Sequence, residues 1–328
     1  MFEIGLTDHV EGPIDRPSAA IFDEVSDLVR LADRLGVRYA WFAEHHAHAH
    51  RGHLPTPLLL ALHLAGQTRE IRLGTGITCL NLHHSLDVAE QVAVADALTG
   101  GRMAVGFGSG STPEEFDLFG VAVTDDRERH ERFGHALGVI RSAWSRSAAD
   151  AGAPSLPTPE PGLPGRCWVA VNSPASARIA GATGFNMLFS HLRTPDQYRQ
   201  YVAAYREAGG RGRVAANRPV FVGPDDATAW ASVEPALRRL WRRFEREGKI
   251  PDGTAEPDRP ADLASHPINF VVGGPESVAR QLRELHEQVP FDVANVEVRW
   301  DGLPHDLVLD SLRRLMIDAV PLIEAARS

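Results

Sequence analysis

Lysine is almost missing from this 328-residue chain: Lys249 is the only one, and arginine supplies every other cation. That absence removes a phosphate-binding P-loop, which needs a lysine after its glycines. It also argues against a Schiff-base mechanism, because Lys249 lies in the polar run "REREGKIPDG". Cysteine is nearly as scarce. Cys79 and Cys167 both fall in apolar stretches that read as strands, so buried free thiols in a reducing compartment are expected rather than a disulfide. No apolar run reaches eighteen residues, and the opening "MFEIGLTDHV" lacks the basic start and apolar length of a signal peptide. A cytoplasmic protein without a membrane partner is the expectation. There is no excess of positive charge either; the net charge of −9 disfavours a nucleic-acid partner.

What the chain does have is rhythm. "FEIGLT" reads as a strand, followed by Ile21, Phe22, Val25, Leu28, Val29, Ala32 and Leu35 at helical spacing, with Gly36 as the closing glycine. "YAWFA" is the next strand, then a helix with Thr56 as its cap and Pro57 at its first position. "IRLGTGITCL" is a third strand, Ser85 to Leu98 a helix closed by Gly100 and Gly101, and "MAVGFG" a fourth strand. Further strands are expected at 167–171, 186–190, 219–223 and 294–300, with helices over 174–183, 196–208 and 275–288. Eight strands alternating with helices predict an α/β fold of the closed (β/α)₈ type, one domain spanning residues 1–328. Two stretches, about 145–165 and 246–267, break the pattern and read as irregular insertions near the active-site face, the second as a lid.

The densest chemistry is "WFAEHHAHAHRGH", residues 41–53, which holds one glutamate and five histidines just past the second strand. In barrels the C-terminal ends of the strands carry the site, so Glu44, His45 and His46 fall on the catalytic face. Neighbouring side chains point to opposite sides, so only one of His45 and His46 can face the mouth, while Glu44 can orient an imidazole. The competing reading is a solvated loop, and it is preferred for His48, His50 and His53. After the fifth strand, Asn172, Ser173 and Ser176 stand where a helix begins at Pro174: an ordinary cap, or a phosphate site of free amides and hydroxyls. After the fourth strand, "GFGSGSTPEEF" puts Gly108 and Ser109 where a flat ligand can approach the backbone.

Taken together, "YAWFAEHH", "TREIRLGTGITCLNLHHSLDVAEQVAVADALTGGRMAVGFGSGSTPEEFDLFGV", "CWVAVNSPASARIAGATGF" and "FVVGGPESVARQLREL" resemble the bacterial luciferase-like flavin-dependent monooxygenase family. The resemblance implies a (β/α)₈ barrel with an insertion capping the site. It implies reduced flavin mononucleotide (FMN) as a dissociable co-substrate with O₂, and a small organic substrate that receives one oxygen atom. A deazaflavin coenzyme serves some branches, but the loop after strand four looks more like the oxygenase branch. His45 matches the histidine that assists at the flavin peroxide, and Glu44 precedes it as in the family. Gly76 and Ile77 match a pair that often forms a non-prolyl cis peptide beneath the flavin ring. Asn172, Ser173 and Ser176 match phosphate-side residues. Ser109 departs from the pattern, since many members carry there an arginine that pairs with the phosphate; Arg178 and Arg193 are the candidate substitutes. A homodimer is also implied, and a separate flavin reductase is expected because the 328 residues show no second cofactor domain.

Two other functions remain in view. A metal-dependent barrel hydrolase would use the His-x-His run with His191 and Asp301 at strand ends. Asn172 in place of a histidine, and the position of Lys249, speak against it; no metal is expected. The other is a non-catalytic luciferase-like paralogue with weak flavin binding, which Ser109 makes conceivable.

Overall fold

A computed structural model describes residues 2–13, 15–48, 51–123, 125–145, 157–190, 193–246, 248, 250, 254–265, 269–300 and 302–325. His50, His191, Lys249 and Asp301 lie outside the described residues, as does 146–156 of the first insertion.

The described residues hold ten strand segments: β1 (Glu3–Asp8), β2 (Tyr39–Phe42), β3 (Arg72–Thr75), β4 (Thr78–Cys79), β5 (Gly106–Gly108), β6 (Trp168–Val171), β7 (Asn186–Phe189), β8 (Val214–Val222), β9 (Val271–Gly273) and β10 (Val293–Glu297). All pair in parallel, in the order β3-β2-β1-β10-β8-β7-β6-β5-β4. β3 and β4 are two halves of the one strand expected over 71–80, parted at the cis peptide Gly76–Ile77. A bridge from Leu73 to Met103 sets β3 beside the run into β5 and closes the ring. The fold is thus the expected parallel α/β barrel.

Each expected strand is there, with two differences. β8 starts five residues before the expected 219, because the polar Asn217 and Arg218 are both buried inside the sheet. β9 was not expected. It pairs with Val220–Val222, the half of β8 beyond Pro219, where the β10 ladder ends. Proline has no N–H to give a ladder, which explains the change of partner there.

The helical spacing in the first unit holds closely. Ile21, Val25, Leu28, Val29 and Ala32 of the Ser18–Arg34 helix are all fully buried, the larger of them contributing about 1.5–3 kcal/mol each. One expected cap is corrected: Thr56 occupies the cap position but makes no side-chain cap bond, while the Ser85–Leu98 helix has its expected bounds, with His84 at an uncapped N-cap. The helices Asp126–Ser145 and Asp226–Arg246 were not anticipated. The 246–267 stretch is less bare of apolar anchors than its composition implied. Pro260–Leu263 forms a helical turn, and Ile250 and Leu263 are buried in a cluster with Trp241, Phe244, Phe270 and Trp300. A few large aromatic partners supply the area that a longer aliphatic run would otherwise provide.

Inside the barrel the floor is aromatic. Tyr39 and Trp41 stack at 4.7 Å and Trp168 meets Trp41 edge-on at 5.3 Å. Trp41 Nε1 donates to the Ala104 carbonyl at 2.7 Å. Trp41 also explains Gly76, where a Cβ would lie 2.7 Å from that of Trp41. Cys79 and Cys167 are free and buried. Among the described residues no helix is long and apolar enough to cross a membrane.

Candidate active site

Above the aromatic floor lies a cavity of about 220 Å³, lined in part by Thr7, His9, Gly76, Ile77, Asn217 and Asn295. The cis peptide Gly76–Ile77 forms one wall, and Gly108 is packed against the Ile77 side chain, where a Cβ would come within 2.7 Å. Two lining residues are unusual for a strand interior. Asn295 faces Asn217 in the β10–β8 register, and the Oδ1 of each is buried with no hydrogen-bond donor among the described residues. Buried acceptors are nearly always satisfied, so these two mark a place where a ligand with N–H groups fits.

His9, just past β1, lines the cavity, and His45 stands behind it: His9 Nδ1 and His45 Nε2 share a hydrogen at 3.2 Å, with the rings stacked at 5.5 Å. Burial lowers the His45 pKa, Glu115 at 3.8 Å opposing it, so the neutral imidazole is favoured. On its other side His9 Nε2 lies 4.0 Å from Glu297, a fully buried carboxyl at the end of β10. Burial, reinforced by the negative charge of Glu11, pushes Glu297 up to about 8, against the pull of Arg51.

The cavity is roofed by residues that the sequence did not single out. Arg51 and Phe244 line both it and an adjoining cavity of about 320 Å³, whose walls include Glu11, Arg243, Phe270, Glu297 and Trp300. Arg243 grips Glu11 through two bonds of 3.1 and 3.2 Å, and Arg51 bonds the same carboxylate. Burial alone would raise Glu11, yet the two guanidinium groups outweigh it and hold the carboxyl far below its usual range. The cover over the mouth therefore includes the last turn of the Asp226–Arg246 helix, ahead of the 246–267 segment.

The remaining expected residues fall elsewhere. Glu44 does not touch His45. Its Oε1 accepts from His46 Nε2 at 3.1 Å and His83 Nε2 at 2.8 Å, away from the cavity. The two bonds overcome burial and keep Glu44 below the usual carboxylate range. His48 meets His45 at 6.0 Å between ring centres, and His53 is buried, bonded to Ser18 Oγ and the Pro13 carbonyl. Ser173 and Ser176 form a reciprocal capping box on the Pro174–Thr183 helix, which occupies both hydroxyls; Asn172 beside them is exposed. Ser109 is buried, and the guanidinium next to it belongs to neither Arg178 nor Arg193. Arg129 Nη1 donates to Ser109 Oγ at 3.1 Å and to the Gly110 carbonyl, and Asn81 ties the Ser109 and Arg129 carbonyls together at 2.9 and 3.0 Å.

A parallel barrel with a cavity at the C-terminal ends of its strands, walled by a cis peptide and by two buried acceptors that lack a donor among the described residues, is the arrangement of a barrel enzyme. Residues 2–290 match the luciferase-like monooxygenases, and the chain belongs to that family, whose members are oxidoreductases that use a flavin-type cofactor. Over 97% of its length it is 23% identical to the oxygenase component of flavin-dependent trigonelline monooxygenase from Acinetobacter baylyi, covering 95% of that protein. It is 30% identical over 67% of its length to an F420-dependent hydroxymycolic acid dehydrogenase of Mycobacterium tuberculosis, covering 63% of it. In fold it is similar to the oxygenating constituent of 3,6-diketocamphane monooxygenase from Pseudomonas putida, solved with FMN: TM-score 0.78, 21% identity, and 98% of each chain covered.

Proposed function

We propose that this chain is the oxygenase half of a two-component system, binding reduced FMN in the mouth cavity and oxygenating a small organic substrate in the cavity beside it. The observation that carries the reading is the pair of unsatisfied acceptors, Asn217 and Asn295, over the Gly76–Ile77 wall. Reduced flavin presents N–H groups to such acceptors, and its ring suits a narrow slot. FMN is preferred to a deazaflavin because the sequence likeness to the flavin-dependent oxygenase component spans nearly the whole chain, whereas that to the F420-dependent dehydrogenase spans two thirds of it. Bound reduced flavin supplies the two electrons with which one atom of O₂ enters the substrate and the other leaves as water.

The protein's own groups then have distinct tasks. His9 and His45 pass a proton between them at the cavity edge, and His9 is placed to receive one from Glu297. Arg51, Arg243 and Phe244 shield the chamber from water, while Phe270 and Trp300 give the substrate cavity its apolar wall. A separate reductase supplies the cofactor, in keeping with the "oxygenase component" relative, and the enzyme works in the cytoplasm, where two buried free thiols persist. The enzyme works as a homodimer, as the family resemblance implies.

Anaerobic titration with reduced FMN and with reduced deazaflavin, followed by oxygen consumption on adding candidate substrates, tests this. Tight binding of the deazaflavin alone, with no oxygen uptake under any condition, would overturn it.

A further inference from the structure

Outside the cofactor chamber, three side chains point at one spot. Glu44 and His46 come from the loop after β2, and His83 from the turn before the Ser85–Leu98 helix, 39 residues from Glu44. The ligating atoms, one carboxylate oxygen and two imidazole nitrogens, all lie within 4.8 Å of one another. The Glu44 side chain is 2% exposed, His46 10% and His83 28%, so the cluster is enclosed on one side and open on the other. Its open side faces a groove of about 770 Å³, lined by both Glu44 and His83. The charged groups lining that groove are acidic, Glu44 with Asp87 and Glu90, and among the described residues no arginine or lysine lines it. On the enclosed side the His46 ring meets Phe119 edge-on at 4.6 Å, and the His46 backbone N–H is held by Glu115 at 2.9 Å.

We propose that Glu44, His46 and His83 form a binding site for a divalent transition metal ion of the Zn²⁺ type. Two imidazoles and one carboxylate are a set that zinc accepts from a protein, with a fourth position left for water or another ligand. Imidazole donors favour Zn²⁺, Ni²⁺ or Cu²⁺ over Mg²⁺ and Ca²⁺. Bonds of about 2.0–2.1 Å to a tetrahedral ion put neighbouring ligand atoms about 3.3–3.4 Å apart. The present separations of 2.8 and 3.1 Å from Glu44 Oε1 need to open only slightly. Each Nε2 then exchanges the hydrogen it gives the carboxylate for the metal, and the neutral ring carries its hydrogen on Nδ1. The groove lends a negative field that draws a cation in. An ion here holds the residues on either side of His45, so it would steady the loop that presents His45 to His9. The site stands apart from the cofactor chamber and does not depend on which flavin that chamber takes.

The full chain, stripped with a chelator and dialysed against ZnCl₂, is to be assayed for bound metal by mass spectrometry, with thermal melting alongside. One zinc ion per chain and a raised melting temperature are expected. His83→Gln is the decisive variant, because its amide N–H can still donate to Glu44 while its oxygen is a poor zinc ligand. Its affinity should fall by more than the about 10–100-fold lost with outer-shell partners, with the circular dichroism spectrum unchanged. His130→Ala, on a surface helix, should bind as the parent does. Substoichiometric zinc in the parent, or equal uptake by the parent and His83→Gln, would show that the cluster is a hydrogen-bonded network only. If His83→Gln misfolds, the visible absorption of a Co²⁺-loaded parent decides: tetrahedral bands support the site, and their absence overturns it.

Discussion

Asn217 on β8 and Asn295 on β10 are register partners on adjacent strands, and among the described residues neither side-chain oxygen has a donor. Asn295 spends its N–H on Thr7, which leaves its oxygen turned to the chamber without help. An unsatisfied buried acceptor costs about 1–3 kcal/mol, a cost that a bound N–H donor removes. Asn217→Leu, of similar volume, should therefore melt at a higher temperature than the parent without cofactor, yet bind reduced FMN about ten- to a hundredfold more weakly. Calorimetry with and without cofactor checks both halves. A variant that is neither more stable nor weaker in binding would mean that Asn217 does not serve the ligand.

The His9–His45 pair makes a second prediction. General acid–base groups contribute about 10²–10⁴-fold to turnover. His9→Phe and His45→Ala should each lower kcat in that range with small changes in melting temperature, since neither ring holds core elements together. Because the proton passes through both, the double variant should lose little beyond either single one. His48→Ala should stay near the parent rate. Additive losses in the double variant would show that the two rings act separately.

How much of this could be read beforehand depends on what kind of pattern carries it. The barrel was legible because Ile21, Val25, Leu28 and Val29 are spaced for one helical face and because strands recur between such helices. The His45 stretch was legible from its place past the second strand, and Gly76–Ile77 from the resemblance. His9 was not, since a lone histidine past a short strand has no local signal. Arg51 and Arg243 meet on Glu11 from 40 and 232 residues away, a relation that no window of sequence displays. One clue went unused. In "ANVEVRW" the polar residues Asn295, Glu297 and Arg299 alternate with Val296 and Val298, and a period of two places them on one face. The clue in β8, Asn217 inside an otherwise apolar strand, was lost because that strand was begun at Pro219. The Ser173 cap illustrates the opposite limit: its residue types fit a phosphate site and a helix cap equally, and the hydrogen bonds are those of a cap.

Glu297 makes stability depend on pH. The native carboxyl, surrounded by Glu11, Asp8, His9, Arg51 and Arg243, holds its proton to about pH 8, whereas an unfolded glutamate releases it near its ordinary value of 4.5. Between those values the native state binds more protons than the unfolded one, so this residue makes stability fall as pH rises. Glu297→Gln keeps a neutral side chain at every pH. Its melting temperature should match the parent near pH 5, exceed it increasingly toward pH 8, and keep a constant lead above that. Parallel curves for parent and variant between pH 5 and 9 would show that Glu297 is already ionised.

The last prediction turns on Arg129. Ser109 stands where many members of the family carry an arginine, but Arg129 from the Asp126–Ser145 helix brings a guanidinium to the same loop, bonded to Ser109 and Gly110. Restoring an arginine at 109 should not help, because Ser109 is buried beneath that guanidinium. Ser109→Arg is expected to weaken FMN binding by forcing Arg129 and the loop apart. Arg129→Met removes the charge but keeps most of the stem. A charged hydrogen bond contributes about 1.5–3 kcal/mol, so the variant should bind FMN about ten- to a hundredfold more weakly if Arg129 faces the phosphate. Riboflavin, which lacks the phosphate, separates the two roles open to this residue. Equal riboflavin binding by parent and Arg129→Met, with weakened FMN binding, marks a phosphate contact. An equal loss for both flavins would mean that Arg129 only holds the loop after β5, and the phosphate is met by Asn172 and the backbone beside it.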